Sequence, residues 1–176
     1  DAGDSENGDD SQDGGENGSE NGSGEGSDNG SDTGEGSGSG GGSGSTGFIW
    51  PIPDSTRITS EFGEREAPLE GVSNFHKGVD VGAPTGTKIY AAAAGEVVIS
   101  QYNYSAGNYI MINHGNGVYT VYMHCSKLLV SVGDHVEQGD NIGLVGSTGY
   151  STGPHLHFGV RINGEYRNPL DYVSVP

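Results

Sequence analysis

The sequence predicts an all-β domain, mainly antiparallel sheet with long loops forming a groove, preceded by a disordered acidic tail rich in glycine and serine. Three observations predict it: a composition break at Gly47, β-branched and aromatic runs bounded by glycine beyond it, and no 3.6-residue apolar periodicity over three turns. The first concerns the tail. Of 24 acidic and 7 basic residues, residues 1–47 hold 12 acids and neither Lys nor Arg. They also hold 17 of the 34 glycines, and Ala2 is their one apolar side chain. Such a segment cannot offset its ordering entropy by burial, so residues 1–47 are expected to be a flexible linker and 48–176 a folded domain. A coil of that length has a reach on the order of 40 Å, which suits a tether.

The net charge of −17 makes nucleic-acid phosphates a poor partner. No apolar run approaches the ~18 residues of a membrane-spanning helix. The chain starts at Asp1 without a signal sequence and is expected to be a processed piece of something longer. One cysteine, Cys125, excludes an internal disulfide framework.

The strands follow in order. Gly95–Ser100, Asn108–Asn113 and Val118–His124 are rich in Val, Ile, Tyr and Thr. Gly115-Asn116-Gly117 joins the last two as a tight hairpin, and Asn163-Gly164 marks another between Val160–Ile162 and Glu165–Arg167.

Strand alternation then sorts the six histidines. In His155–Ile162, one face carries Leu156, Phe158, Val160 and Ile162 and is a core face. The other carries His155, His157, Gly159 and Arg161 and is expected to be exposed. In His76–Val81, read as a strand, His76, Gly78 and Asp80 share a face opposite Val79 and Val81. His76 and Asp80 can thus converge with the His155/His157 strand to give a His, Asp, His set. These are nitrogen and oxygen donors suited to Zn²⁺, with a fourth position left for water. His124 ends its strand on the Val118, Thr120, Tyr122 face and is expected to line the groove.

With those residues set out, the chain from about Phe62 to Asp171 resembles the lysostaphin-type (LytM-like, M23) zinc metallopeptidases that cut bacterial peptidoglycan. The resemblance rests on His76-Lys-Gly-Val-Asp80, Tyr122-Met-His124 and Ser151-Thr-Gly-Pro-His155-Leu-His157-Phe158. It implies a zinc-dependent endopeptidase acting on peptide cross-links, with His76, Asp80 and His157 as zinc ligands and His124 and His155 as the catalytic pair. No HExxH occurs, so histidines must replace the glutamate base of other zinc peptidases.

The resemblance further implies an extracellular or cell-envelope location. It leaves room for a membrane anchor upstream and for an envelope protein partner. The alternative reading is a non-catalytic metal-binding scaffold or activator in the envelope. Cys125 departs from the family's usual aliphatic residue and reads as a small buried apolar side chain. His114 is carried over as structural, and His135 as exposed and incidental. Gly146–Gly149 is expected to wall the groove. Gly40–Gly42 resembles a glycyl-glycine substrate and raises self-trimming of the tail.

Overall fold

The computed structural model describes residues 47–176 apart from residue 72. The expected linker, its role as a tether and the self-trimming idea fall outside the described residues, Gly47 excepted. Within them the chain forms strands β1 (Ile58–Ser60), β2 (Gly63–Glu64), β3 (Phe75–His76), β4 (Val79–Gly82), β5 (Lys88–Tyr90) and β6 (Gly95–Asn103). There follow β7 (Gly107–Asn113), β8 (Val118–Cys125), β9 (Lys127–Leu128), β10 (His135–Val136), β11 (Asn141–Leu144), β12 (His155–Ile162) and β13 (Glu165–Arg167). Among the described residues the sole helical turn is a 3-10 turn at Pro169–Asp171. The all-β, antiparallel expectation holds.

The main sheet runs β1-β4-β12-β8-β7-β6-β10, with β13 also paired to β12. A smaller sheet, β5-β11-β9, supplies Ile89 and Ile142 to the core shared with Ile110, Ile112, Tyr122, Leu156, Phe158 and Val160 of the main sheet. All of these are fully buried, and each contributes roughly 1.5–3 kcal/mol by leaving water. The core face read for β12 is therefore correct. Both predicted hairpins form. Asn163 and Gly164 adopt φ of 50° and 88°, the paired left-handed conformation that matches the twist of two-residue hairpins.

Three details differ from the sequence reading, and each places a histidine. First, His157 is only 7% exposed, so the second face of β12 is not a solvated one. The Lys77-Gly78 segment lies across it. A Cβ at Gly78 would stand 2.8 Å from His157 Nε2, and one at Gly159 would stand 3.3 Å from the Lys77 carbonyl oxygen. Only glycine at 78 permits this approach. Second, His76 and Asp80 do not share one strand: His76 ends β3, Asp80 lies in β4, and the chain bends at Lys77-Gly78 between them.

Third, His124 does not follow the alternation of β8. Against β7, Asn108 pairs with Cys125 and Ile110 with Tyr122, so β8 holds one residue more than its partner. This bulge, with His124 at φ 65°, gives Cys125 the core place that simple alternation assigns to His124. A bulge re-aims a side chain, and a non-glycine residue in the left-handed region is held there by its surroundings. Here the His124 N–H donates to the Ala106 carbonyl at 2.9 Å.

Candidate metal centre

Strand register brings the donors together. His157 pairs with Asp80 on one side and Met123 on the other, and His155 pairs with Gly82. Directly opposite residues share a face, so Asp80, Met123 and His157 form one floor. His76 reaches it from β3. Asp80 Oδ1 lies 3.0 Å from His76 Nε2 and 2.9 Å from His157 Nδ1, and those two nitrogens are 2.9 Å apart.

Backbone carbonyls orient three imidazoles through the other ring nitrogen. His76 Nδ1 donates to the Glu61 carbonyl (2.7 Å), His124 Nδ1 to Thr148 (2.8 Å) and His155 Nδ1 to Gly153 (2.8 Å). In each neutral ring the lone pair is thereby fixed on Nε2. The His124 ring lies 4.7 Å from that of His155 and 6.2 Å from that of His157. His155 Nε2 is 3.7 Å from Asp80 Oδ1. Four imidazoles and a carboxylate thus form one group at the base of a cleft of about 750 Å³.

The donors fit a divalent cation. His76 Nε2, His157 Nδ1 and Asp80 Oδ1 can each ligate one ion and lie within 4.8 Å of one another. With His76 Nδ1–H committed to Glu61, its Nε2 presents a lone pair to a carboxylate oxygen, which is repulsive unless a proton or a cation stands between. A tetrahedral Zn²⁺ with bonds of about 2.0–2.1 Å would space its ligands about 3.3 Å apart, close to the separations seen here. Asp80 Oδ2, the oxygen turned away, accepts from Arg65 Nη1 at 3.2 Å, and the same nitrogen donates to Ser60 Oγ at 2.6 Å.

Electrostatics agree with that arrangement. Burial pushes the Asp80 carboxyl up, but the close approach of the His157 and His76 rings outweighs it and holds the group well below the usual carboxylate range. Burial pushes His157 down despite the Asp80 carboxylate. His124 is also lowered by burial, to about 4, although the Thr148 carbonyl opposes the shift. The centre therefore combines an ionised Asp80 with a neutral His157, the states in which these groups bind a metal.

The sequence pattern of peptidase family M23 matches residues 74–169, more than half of the chain. The chain belongs to peptidase family M23. Among curated relatives of this M23 chain, "DD-carboxypeptidase/endopeptidase Mpg" of Neisseria meningitidis is 46% identical over 121 residues, which are 69% of this chain and 28% of that protein. The chain thus spans under a third of the length of the relatives it matches. Among solved structures, a zinc-containing peptidase from Vibrio cholerae superposes with a TM-score of 0.66 at 34% identity, over 74% of this chain and 41% of that one. The catalytic domain of lysostaphin from Staphylococcus simulans gives 0.62 at 34% identity, over 68% and 92%.

All five residues singled out in the sequence, His76, Asp80, His124, His155 and His157, meet in this M23 site. The three others singled out lie elsewhere. His135 is exposed. Cys125 is fully buried, with its thiol pushed up to about 12 by burial, in keeping with an apolar role. His114 donates from Nδ1 to the Ala94 carbonyl and shares a 2.7 Å hydrogen bond with Thr120 Oγ1 through Nε2. The groove wall shifts slightly. Tyr150–Pro154 line the cleft, whereas Gly146 and Gly149 pack behind it against Ser126 and Gly107. Arg65, Ser60 and the Glu61 carbonyl were missed; nothing in the spacing of Ser60–Arg65 announces contact with a residue fifteen positions later.

Proposed function

We propose that this M23 chain is a zinc-dependent endopeptidase that hydrolyses D,D-peptide cross-links of bacterial peptidoglycan, with residues 48–176 as the catalytic domain and 1–47 as its linker. The observation that carries the reading is the convergence of His76 Nε2, Asp80 Oδ1 and His157 Nδ1 within 3.0 Å beside two further imidazoles. His76, Asp80 and His157 would hold the ion. Zn²⁺ supplies Lewis acidity, polarising a carbonyl and lowering the pKa of water towards ~7.

The chain's own residues supply the rest. His124, neutral above about 4 and with Nδ1–H spent on Thr148, offers its Nε2 lone pair as proton acceptor and then passes the proton to the leaving amine. His155, pinned by Gly153, turns its Nε2 lone pair to the same centre and stands as a second proton acceptor there. Arg65 holds Asp80 Oδ2, so Oδ1 is the carboxylate oxygen that would serve the ion. The relative named a DD-carboxypeptidase/endopeptidase favours a D,D-bond over a glycine bridge.

Action on this polymer calls for an extracellular or cell-envelope location, and we propose that the linker tethers the domain to an anchor or partner upstream. Digestion of purified walls tests the reading: soluble fragments should appear, cease on chelation and return with Zn²⁺. Binding to walls without any cleavage would instead make the protein a scaffold.

A further inference from the structure

We infer that Arg57 is a carboxylate-binding residue of this cleft and selects substrates whose leaving residue carries a free carboxylate next to the scissile nitrogen. The inference rests on the proposed D,D-specificity and gives it a structural cause. In a D,D-bond, whether at the end of a stem peptide or within a cross-link, the amine released belongs to a carbon that also bears a carboxylate. An enzyme for both contexts gains by recognising that shared anion.

Three cationic side chains line the cleft beside the metal centre: Arg57, Arg65 and Lys77. Two are committed. Arg65 is bound to Asp80 and Ser60, and the Lys77 ammonium sits 5.5 Å from the Tyr166 ring centroid. The Arg57 guanidinium has no hydrogen bond or ion pair with any other described residue.

Its position is set by backbone pairing rather than by chance. The Gly82 N–H donates to the Arg57 carbonyl at 2.9 Å, which fixes Arg57 at the end of β4. A Cβ on Gly82 would lie 3.6 Å from Arg57 Nη1, so the guanidinium rests over the face towards which Gly82 would project a side chain. By strand alternation that is the face of Asp80, two residues earlier, and Gly82 pairs directly with His155. Gly82 lies two strand residues, roughly 7 Å, from Asp80 along this floor, and the guanidinium packs over Gly82. Two bonds separate a scissile nitrogen from the carboxylate carbon of its own residue. With metal-to-oxygen and guanidinium-to-carboxylate contacts of about 2–3 Å each, one residue spans that gap. A Cβ on Gly82 would also stand 3.0 Å from Thr59 Cγ2, so the bare glycine is what lets Thr59 and Arg57 pack onto this floor.

The experiment uses the zinc-loaded chain and two cross-linked peptide dimers that differ only in this carboxylate, free in one and converted to the amide in the other. The wild type should cleave the free acid at least about 10-fold faster in kcat/KM than the amide, a gap suited to one charge-assisted bidentate pair. Arg57→Gln should lose that preference by slowing the acid alone while its zinc content and its rate on the amide stay unchanged. Arg57→Lys should restore part of the preference. Equal loss on both dimers, or an unaltered preference in Arg57→Gln, would overturn the inference and leave the proposed function standing. If the wild type cuts neither dimer, the proposed function falls, and this assignment with it.

Discussion

Two histidine clusters in this domain make an instructive pair. Around His114, each polar group has a match: the Ala92 N–H donates to the Tyr122 hydroxyl, the Tyr122 and Thr120 hydroxyls share a bond of 2.9 Å, Thr120 bonds His114 Nε2, and His114 Nδ1–H ends on the Ala94 carbonyl. The chain of donors and acceptors closes on itself. At His76, Asp80 and His157 the opposite holds: with His76 Nδ1–H spent on Glu61, three ligating atoms crowd within 3.0 Å of one another and a positive charge is needed among them. Both clusters are largely buried and both contain imidazole. Completeness of hydrogen bonding, not burial, separates the structural histidine from the proposed metal ligands.

The sharpest way to break this contrast is to empty the open cluster. His157→Ala should bind no zinc and lose more than about 1,000-fold of wall-hydrolysing rate, equivalent to about 4 kcal/mol of barrier. His155→Ala should lose about 100- to 10,000-fold while keeping close to one zinc per chain. Metal analysis alongside turnover checks both, and full activity in the His155 variant would remove it from the catalytic pair.

The closed cluster should answer in a different currency. Thr120→Val leaves His114 Nε2 and the Tyr122 hydroxyl without their shared partner, at a cost of about 1–3 kcal/mol of folding stability. Zinc content should not change. A denaturant midpoint equal to wild type would mean that this network contributes nothing to the fold.

The last effect is common to both regions. Burial lowers the pKa of His114, and that of His124 to about 4. As pH falls below about 6.5, the unfolded chain takes up protons that these buried rings refuse, so stability declines between about 6.5 and 4. For His124 the loss amounts to at most about 3 kcal/mol by pH 4. Thermal melts of metal-free protein across that window should show the decline, and a flat profile would mean that neither ring is kept neutral by the fold.

What could be read from the sequence divides along physical lines. β7, β8 and β12 carry their own alternation of apolar residues, so a few neighbours suffice to recognise them. β6 runs three residues beyond the reading, because Gln101-Tyr102-Asn103 is polar and is held only by pairing with β7. Strands of two to four residues, such as β2, β3 and β10, have no period long enough to detect; partners distant in sequence make them. The site followed the same rule. Residue types and spacing, together with the family resemblance, identified the five side chains. The cover that buries His157, the bend between His76 and Asp80 and the bulge that turns His124 each depend on a separate segment.

That bulge has a consequence for how the protein can vary. His124 is gripped through its backbone by Ala106 at the tip of the β6–β7 hairpin and through its ring by Thr148, and the two loops are tied together where the Tyr150 N–H donates to the Ser105 carbonyl. Those loops also carry Ser105, Ala106 and Tyr150, which line the cleft. Lengthening or exchanging either loop to admit a new substrate would disturb His124, the proposed base, as well, so selectivity and speed in this architecture must be tuned as one trait.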